Sequence, residues 1–169
     1  MLRSLILGAL CGASLLAQFP AVQAAPTDDL LVSVPGKEPT HFARADLAAL
    51  ATREIDVEDE KGQPAHYRGV SIAAVLGAAG WPLPPLRGKL LLATLRVNAA
   101  DGYAVVFALA ELDPAFTAAE ALVCFERDGG ALSDQEGPFR VVVPGEKRHA
   151  RWVRRVVELL VQPGADHEN

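Results

Sequence analysis

The chain has 169 residues, half of them hydrophobic, with 16 basic and 21 acidic side chains and a formal net charge of −5. That length suits one domain with a core of its own, and the acidic balance excludes a general nucleic-acid binder. No Cys and His spacing of zinc type occurs, so no metal site is read from the sequence.

The first segment reads as an address. Arg3 gives a short positive start, residues 5–16 form a leucine and small-residue run, and Val22-Gln23-Ala24 supplies the small residues a signal peptidase reads. The expectation is a signal peptide at 1–24, a single domain at 25–169, and a periplasmic or secreted protein. The apolar run falls short of the roughly 18 residues a membrane anchor needs. Cys11 follows Leu10, where a lipoprotein box would have a small residue. Cleavage removes Arg3, leaving 15 basic against 21 acidic side chains, about −6, and Cys124 as the sole cysteine. An intramolecular disulfide is then not available, and the fold must stand on its core. No later apolar run is long enough to span, so no membrane span is expected after cleavage.

In chain order, 30–34 reads as a short strand closed by Pro35-Gly36, 43–50 as one or two helical turns, and 55–57 as a half-exposed strand among acids. A turn at 61–64 leads into "YRGVSIAAVLGAAGWP". There Ser71 is the N-cap, Ile72, Val75, Leu76 and Ala79 fall at helical spacing, and Gly80 suits the position after the helix. Strands are expected at 90–97 and 103–109, joined as a hairpin across 98–102. A turn or short helix broken by Pro114 follows, then strands at 121–125, 139–143 and 156–161. The 139–143 run of apolar and β-branched residues predicts burial on both faces. Short helices among many strands give an α+β fold, mostly β.

The residues able to do chemistry concentrate at 137–155, "GPFRVVVPGEKRHARWVRR". Arg140, Lys147, Arg148, Arg151, Arg154 and Arg155 surround His149, with Glu146 as the only acid. A helical turn after Pro144-Gly145 would bring Arg148 and Arg151 to one face, and arginine suits bidentate recognition of phosphate or carboxylate. The alternative is a solvated face paired with the acids at 54–60. His66 reads as a ligand, a phosphate donor or a surface residue. Cys124, in "ALVCFE", reads as a buried small hydrophobe. No nucleophile elbow, P-loop or dinucleotide glycine loop is present.

Three stretches in order, "YRGVSIAAVLGAAG", "NAADGYAVVFALAELDP" and "ALVCFERDGGALSDQEGPFRVVVPGEKRHARWVRRVVEL", resemble the molybdopterin-binding domain of the sulfite oxidase family. The resemblance covers about 67–161. It implies that domain's fold and a basic closing segment that holds the cofactor's phosphate and pterin. Carried over, it implicates Arg148 and Arg151, with Trp152 packed beneath them and His66 as a further cofactor contact. The family ligates its metal through a cysteine upstream of the Tyr67-Arg68-Gly69-Val70 stretch, and residues 25–66 contain none. Two functions are therefore carried forward. One is a molybdopterin-dependent oxidoreductase that binds its cofactor, or another anionic ligand, through the basic segment. The alternative is a non-catalytic binding module that takes an anionic small molecule or a protein partner.

Overall fold

A computed structural model gives the fold of residues 28–164; the signal segment at 1–24 and its cleavage site lie outside the described residues. Ten strands carry the structure: β1 (Leu30–Ser33), β2 (Thr40–Phe42), β3 (Thr52–Glu58), β4 (Pro64–Ser71), β5 (Thr94–Ala99), β6 (Ala104–Ala108), β7 (Leu122–Arg127), β8 (Gly130–Ala131), β9 (Arg140–Val142) and β10 (Val156–Gln162). Two short helices, α1 (Arg44–Ala48) and α2 (Ile72–Ala78), and three 3₁₀ segments complete it. The class is α+β with β predominating.

The strands form two sheets. The first runs β2-β1-β10-β5-β6, with β1 parallel to β10 and the other pairs antiparallel. The second runs β3-β4-β7-β8, with β9 also on β7. Both contribute to one core: Leu95, Val97 and Leu159 from the first meet Val70, Val123 and Val141 from the second in one buried cluster. Burial of this apolar area is the main stabilising term. Backbone bonds join the closing segment to β9, from Val141 N to the Val153 carbonyl and from Val156 N to the Phe139 carbonyl.

Local signals fixed α2 as expected. Ser71 Oγ accepts from Ala74 N at 3.2 Å, Ile72, Val75 and Leu76 are buried, and Gly80 takes φ +77°, where a side chain would be strained. The strand expected at 90–97 differs. Residues Gly88–Leu92 form a 3₁₀ segment, with Leu90 N bonded to the Arg87 carbonyl and Ala93 N to the Leu90 carbonyl. Pairing partners explain the boundary: β5 begins at Thr94, opposite Gln162 of β10 and Ala108 of β6. Leu90, Leu91 and Leu92 consequently remain exposed.

Cys124 is fully buried on β7, and burial pushes its thiol up to about 12. Cys124→Ser is expected to cost about 1–3 kcal/mol through an unpaired buried hydroxyl, read as a shift in urea midpoint. Thiol-reagent labelling of the native protein should proceed only at the rate of opening; fast labelling would contradict this.

Candidate functional site

The floor of the site is Arg140 on β9, only 1% exposed. Its guanidinium lies against the Tyr67 ring at 5.5 Å and the Trp152 ring at 5.7 Å. Nη2 donates to Glu60 Oε2 at 2.8 Å, Nη1 donates to Glu136 Oε1, and Nε is buried without a partner. Glu136 also accepts from Arg127 Nη1 at 3.0 Å and from the Tyr67 hydroxyl at 3.4 Å. Arg127 Nη2 continues the chain to Asp59 Oδ2 at 2.9 Å. A buried arginine is tolerable only because carboxylates meet it from two sides.

The loop after β9 forms one wall. Gly145 takes φ +82° in the turn that reverses the chain. Trp152 Nε1 donates to the Val143 carbonyl at 3.0 Å, and the Tyr103 hydroxyl to the Ala150 carbonyl at 2.7 Å, so the loop is tied to its own base and to the β5–β6 hairpin. The His149 ring stacks on Trp152 at 4.0 Å between centroids. Between loop and floor is an open cavity of about 670 Å³, reached by Lys147, Arg148, His149, Arg154 and Arg140. Among the described residues, Lys147, Arg148 and Arg154 form no ion pair with any carboxylate. Arg140, Lys147, Arg148 and Arg154 line it against Glu60 and Asp101, and this basic excess creates a field suited to an anion.

Arg148 and Arg151 do not share this cavity. The expected helical turn is a 3₁₀ segment of three residues, His149–Arg151, and Arg148 precedes it in extended conformation at φ −135°, ψ 129°. The helical alignment of positions three apart is therefore not formed. Arg151 walls a neighbouring cleft, where Nη1 donates to Glu111 Oε1 and Oε2 at 3.0 and 3.1 Å and its other nitrogens to Glu146 Oε1. His66 stands on β4, outside the cavity, with Nδ1 2.8 Å from Asp56 Oδ1. That bond, reinforced by Glu54 and Asp128, raises the His66 pKa above its usual value. The sequence reading missed Lys147, Arg154 and the Arg140 floor as cavity residues. No local signal separated them from Arg151, whose Glu111 partner lies 40 positions away.

Three of the acids at 54–60 have assigned work. Glu60 holds Arg140, Asp56 holds His66, and Asp59 caps its turn by accepting from Lys61 N and Gln63 N, both at 2.9 Å. The Gln63 amide, then Arg127, hold the Asp59 carboxyl down at about 2, against a usual 3.8. A folded-state pKa below the unfolded one stabilises the fold above the unfolded value, and that contribution is lost as pH falls through the folded one. Asp59 should therefore supply part of the loss of stability between about pH 4 and 2. Asp59→Asn should flatten urea midpoints across that window; an unchanged slope would show that Asp59 contributes nothing there.

No protein-family model and no curated protein matches the sequence. Among solved structures, the chain is similar to the sulfane dehydrogenase SoxCD from Paracoccus pantotrophus, with a TM-score of 0.63 and 20% identity. The match covers 88% of this chain and 41% of that one, so this chain spans less than half the length of the structure it matches. At that identity the likeness is one of fold.

Proposed function

We propose that this protein is an exported anion-binding domain whose basic cavity takes a phosphate-bearing ligand of molybdopterin type. The observation that carries the reading is the set of three cations held in no salt bridge among the described residues, Lys147, Arg148 and Arg154, which outnumber the cavity's acids Glu60 and Asp101 on a loop braced by Trp152 and Tyr103. The resemblance of 67–161 to the sulfite oxidase-type domain and the fold likeness to a sulfane dehydrogenase support the pterin class.

The donor set fits one part of such a cofactor. Arginine and lysine outside any salt bridge suit its phosphate, Arg148 as a planar fork and Lys147 as a point charge. The His149–Trp152 stack offers an aromatic surface beside it. The set does not fit a thiolate-held metal: Cys124 is buried on β7 among apolar residues and does not line the cavity. No metal step is therefore assigned. The residues bind and orient an anion, and that same missing thiolate favours the second reading, a binding module without redox chemistry.

Metal and pterin analysis of protein purified from its native host separates the two. A stoichiometric phosphate-bearing pterin supports the cofactor reading. Protein free of pterin that binds another anion in the cavity supports the module, and a metal lost on Cys124→Ser would contradict both. Export is part of the proposal: the mature N-terminus should lie at Ala25 or within a residue or two, and a retained Met1 in cytoplasmic protein would contradict it.

A further inference from the structure

The two sheets end in several edge strands, and among the described residues one of these is unprotected. A row of unpaired backbone groups is a template for another strand, and natural sheets blunt it with short or charged edges. β2 has three residues and β8 has two. β3 carries Arg53, Glu54, Asp56 and Glu58. β9 is covered on the side away from β7, where Val141 N donates to the Val153 carbonyl. β6 closes the first sheet with the sequence AVVFA, five residues without a charge or a proline.

Apolar surface gathers at the same place. Among the described residues the exposed large hydrophobics are Leu90, Leu91, Leu92, Tyr103, Val106 and Phe116, all in the β5–β6 hairpin or the segments that flank it. Val106, at the centre of β6, is 51% exposed. The pairing with β5 shows which backbone groups are open. Ala99 N donates to the Tyr103 carbonyl, and Leu109 N to the Ala93 carbonyl. Bonded and non-bonded positions alternate along an antiparallel pair, so Ala104, Val106 and Ala108 aim their N–H and C=O groups away from β5. Glu111 Oε2 accepts from Ala108 N at 2.9 Å, which closes one end. The Ala104 and Val106 amides face outward with no described strand beside them.

We propose that β6 pairs antiparallel with β6 of a second copy of this chain, about a twofold axis through Val106. The strand is complementary to itself. About that axis Ala104 meets Ala108, Val105 meets Phe107 and Val106 meets its own mate, so no like charges are opposed. The open groups are in phase: Val106 exchanges both bonds with its mate, and Ala104 N donates to the Ala108 carbonyl of the second copy. A register shifted either way leaves part of the strand unpaired. The edge offers no charge for another protein's strand to read, whereas it matches itself at every position. Dimerisation through β6 does not depend on what the anion cavity binds.

Sedimentation velocity of the purified full chain over a series of concentrations tests this. Wild type should show a concentration-dependent equilibrium of monomer and dimer. Val106→Lys and Val106→Asp should each weaken dimerisation about tenfold or more, since like charges then face each other across the axis, with the circular dichroism unchanged. An equimolar mixture of the two variants should recover the dimer, because opposite charges then meet. Hydrogen exchange needs no variant: the Ala104 and Val106 amides of wild type should exchange about tenfold or more slowly in concentrated than in dilute solution. A wild type monomeric at every concentration, a dimer that both charged variants leave intact, a mixture no more dimeric than either variant alone, or outward amides that exchange equally fast at both concentrations would overturn the proposal.

Discussion

Gly69→Ala is expected to cost about 3 kcal/mol or more, among the largest effects of any single change in the chain. Gly69 lies on β4 where the strand passes β7, at the register shift between Arg68 and Gly69. A Cβ there would sit 2.3 Å from the Val123 carbonyl oxygen and 2.7 Å from Cys124 Cα. Both are backbone atoms of the paired strand, so no side chain can swing aside, and the two strands must part. The requirement is for space; Gly69 does not have a positive φ. Gly77 is the internal control. It lies in α2, the nearest atom to its added Cβ is Pro82 Cα at 4.0 Å, and Gly77→Ala should be neutral or stabilising by up to about 1 kcal/mol. Denaturant midpoints of both variants decide the matter. A Gly69→Ala protein as stable as wild type would mean that β4 and β7 do not approach in this way.

Arg140→Met is the second. It keeps the volume of the side chain and deletes its charge. Glu136 and Glu60 then lose a partner, and Glu136, 8% exposed, stays in place with Arg127 and Tyr67 alone. Breaking a buried pair from one side costs about 3–5 kcal/mol, mostly through the charge left behind. The double variant Arg140→Met with Glu136→Gln should recover a substantial part of that loss, because the stranded charge is gone. Additive losses in the double-mutant cycle would mean that the two residues do not interact.

What the sequence disclosed and concealed follows from the range of each interaction. Helix α2 was legible because its cap, apolar spacing and terminal glycine lie within ten residues, and each acts locally. The burial of 139–143 was legible from composition alone. The three leucines at 90–92 misled because β propensity cannot locate where neighbouring strands stop offering partners. The basic segment was legible as a charge anomaly, but its geometry depends on distant groups. Glu111 draws Arg151 into the neighbouring cleft, and Glu60 and Glu136 fix Arg140 as a floor. Gly69, part of the motif that carried the family resemblance, acquires its physical reason only when β7 is placed against it.

The central claim is that Lys147, Arg148 and Arg154 make the cavity an anion site while Arg151 serves elsewhere. Titration of the apo-protein with molybdopterin, or a phosphate-bearing pterin analogue, at low and moderate salt tests it most directly. Wild type should bind saturably and more weakly as salt rises. Arg148→Ala and Arg154→Ala should each weaken binding by about ten- to a hundredfold, and Arg151→Ala should not. An equal loss in Arg151→Ala would restore the Arg148–Arg151 clamp expected from the sequence, and no saturable binding by wild type would contradict the account.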